Sequence, residues 1–157
     1  MGQEIEKKFL LRNDDWRGLV EGKNYRQGYI NFDKERTVRV RTIQERGFLT
    51  IKGPGHGAVR LEYEYDIPIT DAEELLDKLC HKPLIEKIRY KIPYKGFTWE
   101  VDEFKGENKG LLFAEIELEY ENQLFTTPSW IGEEVTRDRR YYNANLVENP
   151  YKNWRIK

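Results

Sequence analysis

The segment Glu4-Ile5-Glu6-Lys7-Lys8-Phe9 alternates as a β-strand would, so Glu4, Glu6 and Lys8 share one face. Two carboxylates two residues apart can hold one hard cation through oxygen ligands, and an ammonium beside them can meet the anion that such a cation brings. A Glu/Lys-rich strand can equally be a solvated surface, with its apolar residues turned inward. The rest of the chain has to decide between these readings.

Seven further segments alternate in the same way. Candidate strands cover 4–12, 25–32, 37–44, 48–52, 58–66, 85–92, 97–104 and 112–120, each rich in β-branched or aromatic residues. Glu45-Arg46-Gly47, Gly53-Pro54-Gly55-His56-Gly57, Tyr94-Lys95-Gly96 and Gly106-Glu107-Asn108-Lys109-Gly110 fall between consecutive runs, as in antiparallel hairpins. Helices are few. Thr70-Asp71-Ala72-Glu73 reads as a capping box opening a helix to about Leu79, a second helix is expected to start near Asn13–Asp15, and Thr136-Arg137-Asp138-Arg139-Arg140 reads as an N-capped basic turn running toward Asn145.

Taken at period two, the face of Glu4, Glu6 and Lys8 continues as Arg39 and Arg41, Lys52, then Arg60, Glu62 and Glu64. It resumes as Lys87, Arg89 and Lys91, then Glu100 and Asp102, then Glu115, Glu117 and Glu119. The opposite faces are apolar, from Ile5 and Phe9 through Val38, Val40, Leu49, Ile51, Tyr63 and Trp99 to Ile116 and Leu118. Two architectures fit. An open sheet would bury the apolar face under the helices and show the ionic face to water, where cross-strand Lys/Glu pairs add only tenths of a kcal/mol each. A closed barrel would instead carry an ionic lumen and an apolar outside covered by helices and loops. The grouping of signs by strand favours the lumen, because a polyanion carried by divalent cations would neutralise arginine groups and glutamate groups alike.

Composition narrows the function classes. At 157 residues the chain fits one domain, 1–157, without an internal repeat or a Pro/Ser-rich linker. Its 27 basic and 28 acidic residues nearly cancel, so it lacks the global field of a nonspecific nucleic-acid binder or a polybasic membrane protein, and neither partner is expected. Cys80 is the sole cysteine, which excludes an intrachain disulfide and a thiolate zinc cluster. With no signal peptide or long apolar span, a cytoplasmic setting is expected. His56 and His81 are too few for a His-rich metal site and read as a loop residue and a surface residue after the helix.

The ordered set Glu4-Ile5-Glu6-Lys7-Lys8, Arg39-Val40-Arg41, Lys52, Glu62-Tyr63-Glu64, Lys87-Ile88-Arg89, Asp102 and Glu115-Ile116-Glu117 resembles that of the CYTH superfamily, the triphosphate tunnel metalloenzymes, across nearly the whole chain. The resemblance implies a mainly β (α+β) fold: an eight-stranded antiparallel closed β-barrel forming a tunnel, with a few short helices outside and at one mouth. Its charged lumen would bind triphosphates with one or two Mg2+ or Mn2+ ions. Glu4 and Glu6 look like metal ligands, joined by Glu117 and Glu115 from the facing strand. Glu62 and Glu64 would support a second ion or the attacking water, and Asp102 matches a lumen acid acting near the metal or the water. Lys8, Arg39, Arg41, Lys52, Lys87 and Arg89 resemble the phosphate-binding set, with Lys8 also close to the chemistry. Arg137, Arg139 and Arg140 fall in a segment resembling the helix that plugs one tunnel end in bacterial members; a solvated basic face is the other reading.

Among the family's activities, the adenylate cyclases carry a His-Phe pair in the N-terminal motif region, whereas Phe9 follows Lys8 directly. Thiamine triphosphatases need an aromatic platform, and Trp16, Trp99, Trp130 and Trp154 have no recognisable placement for one. The short bacterial inorganic triphosphatases are the better match. The expected activity is metal-dependent hydrolysis of tripolyphosphate or of the γ-phosphate of ATP or GTP, with cyclase, thiamine triphosphatase and a noncatalytic polyphosphate- or nucleotide-binding module as alternatives. Apolar aromatics on the outer faces leave both a monomer and a homodimer open.

Overall fold

A computed structural model describes residues 2–56 and 58–154; Met1, Gly57 and 155–157, the ends of the expected domain and of the 53–57 turn, lie outside the described residues. Nine strands form one antiparallel sheet: β1 Gln3–Leu11, β2 Lys23–Tyr29, β3 Thr37–Ile43, β4 Arg46–His56, β5 Val59–Ile67, β6 Ile85–Tyr94, β7 Phe97–Phe104, β8 Leu112–Glu117 and β9 Ile131–Glu134. Neighbours run β5-β4-β3-β2-β6-β7-β8-β1, and β1 closes the ring by pairing with β5, Glu4 opposite Arg60. The result is the eight-stranded barrel. β9 lies outside the ring on the second half of β1, with Phe9 opposite Glu134. The changeover on β1 falls where Glu6 N–H donates to the Ala58 carbonyl at 3.0 Å. Among the described residues no helix is long and apolar enough to cross a membrane.

Several local expectations are corrected. β4 continues to His56 instead of turning after Lys52, because a register shift between Lys52 and Gly55 absorbs the Gly-Pro-Gly stretch; His56 therefore ends a strand opposite Val59. β8 stops at Glu117 and leaves Glu119 beyond it. No helix starts at 13–15: the segment to Val20 is turns and bends, and Asn13 Oδ1 accepts from Asp15 N–H at 2.9 Å. Helix α1, Ile69–Lys78, has Pro68 as its N-cap and no side-chain cap, so Thr70 lies inside its first turn. Proline, with its fixed φ, opens the helix in place of the capping box. In the tail, Asp138 rather than Thr136 is the cap, accepting from Arg140 N–H at 3.1 Å ahead of a 3-10 turn, Arg139–Tyr141, and helix α2, Asn143–Glu148. Thr136 ties the tail to β1, its hydroxyl accepting from Lys8 N–H at 3.0 Å.

Three apolar clusters support the barrel. Ile5, Phe9, Trp16, Trp99, Val101, Ile116 and Trp130 pack outside β1, β7 and β8, so Trp99 is outer core, as its phase predicts. Ala72 and Leu76 of α1 pack with Val40 of β3 and with Cys80. The third cluster departs from the expected ionic lumen. Ile85, Phe104 and Phe113 share the phase of Lys87, Asp102 and Glu115, yet they are buried with Tyr29 under Tyr141, Leu146 and Val147. The tail fills this end of the barrel, so its inward positions are apolar. The outer wall, expected to be covered, is in part bare: Ile51, Leu61, Tyr63 and Tyr65 are exposed on β4 and β5.

Close approach of α1 depends on Gly47, where a Cβ would lie 2.7 Å from Ala72 Cβ and 3.1 Å from the Ile67 carbonyl oxygen. Gly47→Ala is expected to lower stability by about 1–3 kcal/mol in urea unfolding, since helix and strand must separate to admit the methyl group.

Candidate active site

The barrel encloses a cavity of about 670 Å³ lined by side chains of β1–β8, of the β2–β3 connection and of the tail. On the β6–β7–β8–β1 wall, charges are buried in a closed lattice. Asp102, fully buried, accepts from Arg89 Nε at 2.7 Å and Nη2 at 2.8 Å, and Lys87 Nζ lies 2.9 Å from it. Arg89 extends Nη2 to Glu115 at 2.9 Å and Nη1 to Glu100 at 3.2 Å. Lys8 Nζ lies 3.4 Å from Glu115, donates to the Tyr141 carbonyl at 2.8 Å and sits over the Phe113 ring at 4.5 Å. Burial opposes ionisation of Glu115, but Lys8 and Arg89 outweigh it and hold this carboxyl far below the usual range. Each buried charge is thus matched, the condition for tolerating it.

The β3–β4–β5 wall is less saturated. Arg39 and Arg41 reach Glu64 Oε1 at 3.5 and 3.1 Å, and Thr50 donates to the same oxygen at 2.8 Å. The Nε atoms of both arginines are buried without a hydrogen-bond partner among the described residues. Tyr25, projecting from β2, lies under the guanidinium groups of both Arg41 and Arg89, at 5.3 and 5.0 Å. Burial, then the charges of Arg39 and Arg89, push Arg41 down to about 10. Lys52 bridges Glu4 at 3.3 Å and Glu62 at 3.2 Å. Burial and Arg39 disfavour its charge, yet Glu4, Glu6 and Glu62 together raise its pKa.

Between the walls, carboxylates crowd. Oxygens of Glu6, Glu100 and Glu115 lie within 4.8 Å of one another. Burial first, then Glu115 and Glu4, push Glu6 well above the usual carboxylate range; burial, then Glu4 and Glu100, raise Glu117. Neither Glu6 nor Glu117 lies within 4.0 Å of a basic group among the described residues. An oxygen-only, over-acidic donor set without its own counter-charge suits a hard divalent cation.

The structure therefore sorts the residues read from the sequence. Of the four acids proposed for metal, Glu6 and Glu117 have no basic partner among the described residues, Glu4 faces Lys52, and Glu115 is taken by Arg89 and Lys8. Of the six basic residues proposed for phosphate, all line the cavity, but Lys8, Lys87 and Arg89 are bound to the acid lattice. Asp102 lies behind Arg89, off the cavity wall. Arg137 and Arg139 line the cavity, whereas Arg140 turns away to Asp138 at 2.7 Å and stacks near Tyr141 and Trp154. Glu100 was in phase but had no assigned role. Thr50, uncharged and two residues before Lys52, was overlooked although the same alternation marks it. Asn143, whose Oδ1 accepts from Lys87 Nζ at 3.2 Å, had no local signal.

Residues 2–151 match the CYTH domain family. The chain is 59% identical over 155 residues to an inorganic triphosphatase of Acetivibrio thermocellus, with 99% of each chain covered. It is 37% identical over 149 residues to an inorganic triphosphatase of Nitrosomonas europaea, covering 92% of this chain and 96% of that one. A crystal structure of an inorganic triphosphatase is similar at a TM-score of 0.66 and 34% identity, covering 91% of this chain and 96% of the other.

Proposed function

We propose that this chain, which belongs to the CYTH domain family, is a divalent-cation-dependent triphosphatase that hydrolyses tripolyphosphate or the γ-phosphate of ATP or GTP. The observation that carries this reading is the pairing, in one cavity, of acids without a basic partner at Glu6 and Glu117 with unpartnered Nε–H donors at Arg39 and Arg41. A pure anion receptor would gain nothing from the acids, and a solvated scaffold would not bury the arginines.

Glu6 and Glu117, with Glu4 nearby, would hold Mg2+ or Mn2+, which when bound neutralises phosphate oxygens and lowers the pKa of water. Arg39 and Arg41 orient the phosphates, a task suited to planar, multiply donating groups. Burial disfavours a charged Glu64, but Arg41, Thr50 and Arg39 lower its pKa, so it stays ionised and anchors the two arginines. Glu62 has one oxygen on Lys52 and a second with which to accept a hydrogen bond from the attacking water. Lys87, at the lattice edge, stabilises the negative charge of the departing phosphate.

Lys87 also sets a pH limit. Burial, then Arg89, push its ammonium down to about 8, although Asp102 pulls the other way. Phosphate prefers the charged form, so kcat/KM is expected to hold below about pH 8 and to fall by up to about tenfold per unit above it. Lys87→Gln should abolish that break; a break retained in the variant would assign the titration elsewhere.

The activity itself is tested by giving the protein Mg2+ or Mn2+ with tripolyphosphate, ATP, GTP, thiamine triphosphate and pyrophosphate. Orthophosphate release from the first three is expected. Cyclic nucleotide with pyrophosphate would transfer the reading to a cyclase, preferential cleavage of thiamine triphosphate to a thiamine triphosphatase, and binding without turnover to a receptor.

A further inference from the structure

Strand β2 brings no charge to the buried lumen: its inward positions Tyr25, Gln27 and Tyr29 are all buried and uncharged. Tyr25 lies opposite Lys87 on β6 and Ile43 on β3, so Arg89 and Arg41 are its diagonal neighbours on the same face, a spacing that an aromatic ring and long side chains can bridge. Here they do. Arg41 Cζ lies over the Tyr25 ring at 5.3 Å from its centre, and Arg89 Cζ at 5.0 Å. The ring is 3% exposed and stays off the cavity wall, which both arginines line. Tyr25 thus stands behind two guanidinium groups, one from each ionic wall.

The two arginines are held unequally. Arg89 commits Nε, Nη1 and Nη2 to Asp102, Glu100 and Glu115. Arg41 reaches one acid, Glu64, at 3.1 Å, and that oxygen also serves Arg39 and Thr50; Arg41 Nε is buried without a hydrogen-bond partner among the described residues. One shared acceptor does not fix so long a side chain, and the charge of Arg89 opposes that of Arg41. The ring supplies what is missing. Its negative face attracts a cation without consuming N–H donors, which lie in the guanidinium plane and stay available to an anion. We infer that Tyr25 is a positioning residue for the triphosphate: backed by the immobilised Arg89, its ring holds Arg41 where the donors of that arginine meet phosphate oxygens. The inference rests on the lumen being a triphosphate site.

A ring that acts through Arg41 changes substrate binding, whereas a ring that only fills space changes the amount of folded enzyme and leaves KM alone. The test measures kcat and KM for tripolyphosphate with Mg2+. Tyr25→Phe is expected to stay within about twofold of wild type in kcat/KM, and Tyr25→Leu to lose about 5- to 20-fold, carried by KM with kcat within about threefold. Fluorinated phenylalanines in place of Tyr25 keep the shape of the ring and empty its face of negative charge, so KM should rise with fluorine content; this series decides the matter even if Tyr25→Leu fails to fold. In an Arg41→Gln background Tyr25→Leu should cost less than about twofold, and in Lys52→Gln, which shares no acidic partner with Arg41, the full loss should persist. Where turnover is too slow to follow, calorimetric binding of tripolyphosphate gives the same comparison. A wild-type KM in the leucine variant or in the most fluorinated one would overturn the role, as would an equal loss in Tyr25→Phe or a full loss retained without Arg41. Should the wild type bind tripolyphosphate without cleaving it, the triphosphatase reading falls by itself and the binding series still judges Tyr25; a wild type that neither binds nor cleaves it overturns both.

Discussion

Glu6→Ala is expected to reduce metal-dependent phosphate release by about 10³-fold or more while leaving the barrel folded. Glu6 has no basic partner to abandon; its neighbours Glu115 and Glu4 repel it, and burial already pushes its pKa well up. An acid whose pKa is raised on folding destabilises the native state where it would otherwise ionise, so alanine should preserve or raise Tm at neutral pH and leave it unchanged in acid. Mn2+ binding without substrate, followed by calorimetry, should weaken in parallel with turnover. Glu4→Ala should lose turnover too, but it also takes one of the two carboxylates from Lys52. Normal rates in both variants would refute the metal assignment.

Asp102→Ala should produce the largest loss of stability, about 3–5 kcal/mol, because it strands Arg89 and Lys87 in the interior. Tm should fall by about 10 °C or more. Burial works against the Asp102 charge, but Arg89 and Lys87 hold its pKa below the ordinary aspartate value. Its contribution is therefore full above that ordinary value and lost as pH falls through the depressed one, so wild type and variant should converge in acid. Urea unfolding at neutral and low pH measures this. Asp102 was read from the sequence as a lumen acid near the metal or water, and its place behind Arg89 motivates a supporting role instead. Wild-type stability with no activity in Asp102→Ala would restore a direct role in the chemistry.

The unequal visibility of these two acids has a physical cause. Polarity at period two depends only on which face of its own strand a residue occupies, and Glu4, Glu6, Arg39, Arg41, Glu62, Lys87, Asp102 and Glu115 all carry that mark. Which of them pair is set by register between strands distant in the chain. Arg89 meets Asp102 because β6 and β7 align those positions, and it meets Glu115 only because β8 comes next. The tail was least legible, since Lys8 reaches Tyr141 and Lys87 reaches Asn143 across more than 50 residues of chain. Short elements such as β9 leave too few residues to show a period.

For the opening Glu4, Glu6 and Lys8, local alternation alone determined that they share one face, and repetition of that face made a charged lumen the natural reading. Tertiary structure alone decided that Glu6 sits beside Glu115 without a basic partner, that Glu4 answers to Lys52, and that Lys8 is held by Glu115 and Tyr141. Such partners depend on ring closure and on the seating of the tail, and alternation along a single strand carries no information about either.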